Sequence, residues 1–294
     1  MGSYQAPAAR RSGKTGREDR PDRLAEALGL LESGVSEIVT AEDFRRYLSL
    51  AARFHSYSAR NCLLILSQRP DAARVAGYRA WQSMGRQVRK GEKSISILAP
   101  VTRKTEDEET GEKTRTISGF RAASVFDVSQ TDGEPLPEAP RPEAQDGDPE
   151  TAARILEGLR GVCAAEGVAL EERELDPGYY GYYEPAARRV VLSSSLSQQE
   201  RATTLAHELG HHIQRTTETA SEDGETTTAA RETEAEGTAF AVCSYFGLDT
   251  SRFSFAYIAR YAETPEALAE SLERVQRAVR RLIEAVEGAE PEME

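Results

Sequence analysis

His207-Glu208-Leu209-Gly210-His211-His212 holds three of the chain's four histidines and carries the pattern HExxH. At about 100° per residue, His207 and His211 lie roughly 40° apart and one turn apart on a helix, so both imidazoles reach one metal ion. That spacing describes a zinc site, and Glu208 beside it is suited to take a proton from water activated by the ion. Ser197 and Glu200 have the S-x-x-E form of a capping box, which starts the helix upstream of the motif. Leu205, Leu209 and Ile213 recur every fourth residue on the opposite side, so the helix buries this stripe and turns the histidine pair into a cleft. His212 lies about 100° beyond His211 and is expected to support a ligand from behind or to sit on the surface.

A hydrolytic zinc site needs a third protein ligand and an open position. The stretch Arg231 to Phe240 offers three carboxylates. With Ala235, Ala239, Val242 and Phe246 as a core stripe, Glu236 shares a face with Phe240 and Cys243 and is expected to point inward. Glu234 shares a face with Thr238 and Ala241 and is the poorer candidate. Glu232, one turn before Glu236, is placed to hydrogen-bond a ligand histidine.

Residues from about Tyr179 to Phe246 resemble the small metallopeptidase domain of the ImmA/IrrE type and of the C-terminal half of ArdC-type antirestriction proteins. The resemblance rests on Gly181-Tyr182-Tyr183-Glu184-Pro185, the strand Arg189-Val190-Val191-Leu192, the HExxH helix, and Glu236 followed by Phe240-Ala241. Glu236-Gly237-Thr238 stands where the ImmA/IrrE pattern reads Glu-Ala-Asn. The resemblance implies Zn2+ held by His207, His211 and Glu236, with Glu208 as general base in peptide-bond hydrolysis. A phenol from Tyr180, Tyr182 or Tyr183 is a further candidate to stabilise the oxyanion.

A chain of 294 residues suits two domains better than one. No apolar run approaches membrane-spanning length and Met1 to Asp19 lacks a signal-peptide core, so a cytoplasmic protein without membrane contact is expected. Three cysteines, Cys62, Cys163 and Cys243, are too few and too scattered for a disulfide framework. The net charge of −12 hides a strong asymmetry: through Lys104 there are 19 Lys and Arg against 10 Asp and Glu, and from Thr105 onward 18 against 39. Prolines 135, 137, 140, 142 and 149, set among acidic residues, mark a solvated linker. The expected organisation is α+β: a disordered tail (1–20), an α+β nucleic-acid-binding domain (21–130), the linker (131–150), a zincin-like domain with the HExxH helix (151–288) and an acidic tail (289–294).

Within the first domain, Ala25–Leu31, Phe44–Phe54 and Asn61–Leu66 read as helices. Ser94–Ala99 and Ser124–Val128 read as strands of a hairpin turning near Thr110-Gly111. Phe253–Tyr261 and Pro265–Val286 are expected to close the second core, and the loop Arg215–Thr228 to govern entry to its cleft. Aromatic and basic residues interleave at Tyr57, Arg60, Asn61, Tyr78, Trp81, Arg86, Lys90 and Lys93, a composition suited to single strands, with cations on phosphates and rings on bases. Tyr57-Ser58-Ala59-Arg60-Asn61, Gly77-Tyr78-x-x-Trp81, Gly85-Arg86-x-Val88-x-Lys90-Gly91-Glu92-Lys93 and Val125-Phe126-Asp127 resemble the N-terminal single-stranded-DNA-binding domain of ArdC-type proteins. Two functions follow as expectations. One is a zinc metallopeptidase guided by single-stranded DNA to a protein substrate such as a repressor or restriction component. The alternative is an antirestriction protein that shields incoming DNA, with the metal serving structure.

Overall fold

The computed structural model describes residues 23–36, 38, 40–106, 113–136, 149–217, 228–248 and 265–288. Mixed helices and sheets give the expected α+β fold. The N-terminal region begins with α1 (Arg23–Ser36), α2 (Ala41–Arg53) and α3 (Ala59–Gln68). Thr40 and Asp43 close a capping box at the start of α2, and Ser58 caps α3, so both helices begin where their first amides find side-chain acceptors. A three-stranded antiparallel sheet follows, ordered β1 (Val75–Gly77), β4 (Lys113–Asp127), β3 (Ile95–Glu106), with the short helix α4 (Tyr78–Ser83) after β1. The β3–β4 hairpin is much longer than the two segments expected, and its turn lies outside the described residues.

Two side-chain amides moor α3 to the edge strand β3. Asn61 donates to Leu98 O and accepts from Leu98 N at 3.0 and 2.8 Å. Gln68 repeats the pattern on Ser96 at 2.9 and 2.8 Å. Each amide imitates a strand neighbour and satisfies backbone groups that the sheet leaves open.

The expected linker begins later than its prolines suggest. Thr131–Gly133 forms β5, which pairs antiparallel with β2 (Arg86–Val88), and Gln130 and Thr131 are buried. Pairing with a strand more than forty residues earlier leaves no local pattern, which is why composition assigned these residues to the linker. Pro149 and Glu150 already belong to α5 (Pro149–Glu166), a helix not anticipated from the sequence. The stretch between, 137–148, lies outside the described residues, as do both expected tails, most of the loop 215–228 and the segment Phe253–Tyr261.

After α5 comes a second sheet, in which β6 (Ala169–Arg173) runs parallel to β8 (Arg189–Ser193), and β7 (Gly181–Glu184) pairs antiparallel with β8 at the other edge. Three long helices complete the fold: α6 (Gln198–Thr217), α7 (Thr228–Tyr245) and α8 (Pro265–Gly288). Ser197 and Glu200 form the expected capping box on α6. Leu205, Leu209 and Ile213 are buried, as their spacing requires.

The two regions do not have separate cores. Buried residues of α2 and α3 join those of α5 to α8 in one continuous cluster. Gln276 on α8 donates to the carbonyls of Ala51, Phe54 and Tyr57 at 3.2, 3.2 and 3.1 Å, and Arg280 donates to His55 O at 2.7 Å. Carbonyls at and just beyond the end of α2 are thereby bonded by α8. The helix expected to close the second core thus also fastens that core to the first region.

Asp127 ties down the end of β4. One carboxylate oxygen accepts the amides of Ala73 and Arg74 at 2.8 and 3.0 Å, and the other accepts Ser129 N at 2.9 Å and the Ser129 hydroxyl. Burial works against its charge, but these donors prevail and hold its pKa below the usual aspartate value. A group with a lowered folded pKa stabilises above its unfolded pKa and loses that contribution as pH falls through the folded value. Asp127→Asn is therefore expected to cost about 1.5–3 kcal/mol at neutral pH. Denaturant melts should show the gap between wild type and variant narrowing as the solution is acidified.

Candidate metal centre

The HExxH residues sit on α6 where that helix is crossed by α7. A Cβ added to Gly210 would lie 3.1 Å from the Ala235 Cα, so the crossing is as close as it is because residue 210 has no side chain. His207 and His211 flank Gly210 on α6, while Glu232 and Glu236 flank Ala235 on α7. The crossing faces the two pairs toward each other.

The resulting geometry is compact. His207 Nε2 and His211 Nε2 are 3.2 Å apart. Glu232 places one carboxylate oxygen 3.5 Å from His207 Nε2 and the other 3.5 Å from His211 Nε2. Two donors held at about 2.0–2.1 Å from one ion at tetrahedral angles are roughly 3.3–3.4 Å apart, so these atoms are already spaced for a shared cation. One donor atom each from His207, His211 and Glu232 falls within 4.8 Å of the others, a set of two nitrogens and one oxygen that suits a divalent transition metal.

Glu236 stands elsewhere than its sequence position led us to expect. Its carboxylate is 3.4 Å from His207 Nδ1, on the far side of the imidazole from Glu232. It meets the ring nitrogen that points away from the donor cluster, which is where a carboxylate orients a ligand histidine. Among the described residues the three-donor cluster takes in Glu232, and Glu236 lies on the other side of His207. Periodicity gave each glutamate a face but could not say where along α7 the crossing falls. Glu234, the poorer candidate, is buried and pairs with Arg274 at 2.7 Å and with the Ser271 hydroxyl at 2.7 Å, joining α7 to α8.

Electrostatics distinguish three groups here. Burial opposes charge on His207, yet Glu232 and Glu236 override it and carry its pKa up to about 9. The two histidines hold the Glu232 carboxyl far below the usual range. Glu208 is 7 % exposed. Burial raises its pKa, partly offset by His207, His211 and the Tyr183 backbone. The Glu208 carboxyl is thus moved toward its neutral form beside the donor cluster.

His212 turns away from this cluster into the core, fully buried, with Nδ1 2.7 Å from the Tyr183 phenol and Nε2 2.8 Å from Glu166. Glu166 in turn meets Arg281 at 2.8 Å. His212 is thus a strut between α6, the edge strand β7 and α5. The Tyr183 phenol is engaged in that strut, while Tyr180 and Tyr182 are exposed.

The eight residues expected to meet nucleic acid separate into two groups. Trp81 is fully buried, with its indole N–H on Phe126 O at 2.9 Å, so its ring is a core element with no face for a base. Arg86 braces the β2–β5 ribbon through Thr131, Gly133 and Glu134. Asn61 moors β3, Tyr57 packs on the core with its hydroxyl on Val75 O, and Arg60 pairs with Glu273 of α8. Tyr78 and Lys90, by contrast, line one open cleft of about 580 Å³ together with Gln87, Arg89 and Phe126. Tyr78 is 43 % exposed there, and Lys93 is exposed nearby in sequence. Glu92 and Asp132, also at this cleft, hold Arg89 in place.

Both regions of the chain match known families. Residues 29–126 match the family described as the N-terminal domain of anti-restriction factor ArdC, and residues 163–272 match the IrrE N-terminal-like domain, a peptidase family. The chain has the two-domain ArdC-type architecture. Crystal structures of the antirestriction ArdC protein from plasmid R388 share its fold. The metal-free form is 22 % identical, covers 88 % of this chain and 98 % of that one, and has a TM-score of 0.52. The Mn(II)-bound form is 20 % identical, covers 87 % and 98 %, and also scores 0.52. An uncharacterized protein of Bacillus anthracis is 25 % identical over 272 residues, which are 80 % of this chain and 46 % of that protein. The chain therefore spans about half the length of this curated relative. Among the described residues no helix is long and apolar enough to cross a membrane.

The spacing of the candidate donors depends on the bare crossing at Gly210. Gly210→Ala gains about 1 kcal/mol in helix propensity, which partly offsets an overpacking cost of about 1–3 kcal/mol. Gly210→Val recovers less propensity and adds two methyl groups, so α7 must move outward. Calorimetric titration with Zn2+ should show at least a tenfold loss of affinity in Gly210→Val while circular dichroism still reports a helical protein. Undiminished affinity would refute the dependence on the crossing.

Proposed function

We propose that this chain is a metal-dependent peptidase held on single-stranded DNA, cleaving a protein encountered there, and that His207, His211 and Glu232 hold the ion, Zn2+ in the first instance. The observation that carries the reading is the spacing of those three donors around one point, with the buried carboxyl of Glu208 beside them. A site meant only for structure is usually closed by a fourth protein ligand and has no use for an adjacent base. Among the described residues the cluster contains three donors. An ion bound there supplies a Lewis acid that polarises a carbonyl and makes a water acidic. The Glu208 carboxylate takes up a proton from the attacking water and passes it to the departing amine. Glu236 keeps His207 turned with Nε2 toward the donor cluster by engaging Nδ1. The edge strand β7 adjoins α6, and an extended peptide added to such an edge is a common mode of substrate docking.

The DNA part of the reading rests on the cleft of Tyr78, Gln87, Arg89 and Lys90, where an exposed ring and cations suit a base and its phosphate. A second reading, in which the protein shields DNA from restriction and the metal serves stability, is favoured by the antirestriction description of the R388 relative. One experiment separates them. Metal-loaded wild type and Glu208→Gln are incubated with proteins from the host cell, with and without single-stranded DNA, and cleavage and DNA protection are followed together. The first reading expects cleavage reduced by about 10²–10⁴-fold in Glu208→Gln with DNA binding intact. Equal protection by both proteins with no cleavage by either would establish the second.

The assignment of the carboxylates has its own test. Glu236→Gln is expected to weaken Zn2+ binding by roughly 10–100-fold, the usual effect of losing a group that orients a ligand. Glu232→Gln should weaken it further, and the reverse order would return Glu236 to the ion.

A further inference from the structure

The outer face of α2 carries Arg45, Arg46, Ser49 and Arg53 in one stripe at helical spacing, opposite the buried Phe44, Tyr47, Leu48 and Ala51. This stripe forms one wall of a second cleft, of about 450 Å³, which also reaches Leu50 and Phe240. Phe240 belongs to α7, one turn after Glu236. The cleft therefore lies on the seam between the ArdC-type N-terminal region and the helix that bears the carboxylates of the metal centre. None of the residues singled out for nucleic acid from the sequence lies in it.

We propose that this seam cleft is a second binding site for a single nucleic-acid strand, with the α2 guanidinium groups on its phosphates. The inference rests on the reading that the N-terminal region binds such a strand, and it extends that strand's path to the metal-bearing helix. The chemistry of the walls favours this occupant. Guanidinium is planar and presents paired N–H donors that match phosphate oxygens. Arg46 and Arg53 are seven residues apart, about 10.5 Å along the helix, too far to grip one phosphate and suited to a linear polyanion. Leu50 and Phe240 are 3 % and 6 % exposed, so they close the bottom of the cleft and the arginine wall supplies its contacts. An acidic peptide is the competing polyanion. Glu42 at the rim disfavours either polyanion, and the chain as a whole carries a net charge of −12, so local concentration of arginine is needed to draw a polyanion here. Arg53 is held in place by a 2.7 Å bond from its guanidinium to Ala72 O.

Arg46 is the residue to alter, because it is exposed and on the outer face of its helix. Affinity of the full chain for a fluorescent oligodeoxythymidine of about 20 nucleotides is measured by anisotropy over a series of salt concentrations, for wild type, Arg46→Gln, Arg46→Glu and Lys90→Glu. Thermal melts verify that each variant is folded. The proposal expects Arg46→Glu to weaken binding by about 5–10-fold, Arg46→Gln by less, and the slope of log affinity against log salt to fall by about one. Unchanged affinity and slope in both Arg46 variants, with Lys90→Glu still weakened, would overturn the seam site and leave the strand-binding reading standing. Absence of any binding by wild type would remove that reading and the seam site with it. A poly-glutamate peptide that competes with the oligonucleotide through Arg46, and more strongly than unlabelled oligonucleotide does, would show the cleft to be a peptide site and overturn the proposal.

Discussion

The contact between Gly210 and Ala235 sets the separation of α6 and α7, and the positions of the four side chains of the candidate site follow from it. With a larger residue at 210 the helices would stand farther apart, and Glu232 would no longer sit 3.5 Å from both imidazoles. The opposite side of α7 is fitted as closely. A Cβ on Gly237 would come within 3.4 Å of Phe44 and Leu48, so α2 lies directly against the helix that carries the carboxylates. The buried pair of Glu234 with Arg274 adds a third restraint, from α8. Breaking such a pair by removing one partner typically costs about 3–5 kcal/mol, because the other charge is left stranded. Glu234 is therefore a positional device for α7, although it lies between the two glutamates that face the histidines.

This packing makes the two-domain description incomplete. The matched families divide the chain near its middle, yet α8 bonds to the end of α2, Arg60 pairs with Glu273, and the buried side chains form one cluster. Interiors packed to crystal-like density pass displacement on to their neighbours instead of absorbing it. A ligand that shifts α2 acts on α7 through Phe44 and Leu48, with no loop or linker in between.

What was legible in the sequence divides along the same physical line. Local signals held: the capping box of Ser197 and Glu200, the buried stripe of Leu205, Leu209 and Ile213, and the face shared by His207 and His211 all depend on residues within a few turns of one another. Choices that depend on how elements meet did not. Which glutamate faces both imidazoles is decided by where α7 crosses α6. Trp81 and Arg86 have the composition of a nucleic-acid surface but are consumed by long-range contacts to Phe126 and to β5. Thr131–Gly133 read as linker because its partner strand lies far upstream, and α5, whose apolar residues begin just after the last proline, was overlooked beside it.

The charge pattern around His207 shows why two carboxylates on α7 are useful where one would suffice to complete a donor set. Burial of this imidazole disfavours its protonated form, and Glu232 and Glu236 reverse the preference from opposite sides of the ring. Without an ion the site is therefore balanced by a proton on His207, and the two negative groups do not face each other uncompensated. A cation bound there would have to displace that proton, so acid would favour the metal-free form. Glu236, engaged at Nδ1, would raise the basicity of the opposite ring nitrogen. Glu208 stands apart from this exchange: burial raises its pKa, and the positive charge at the histidines limits the rise.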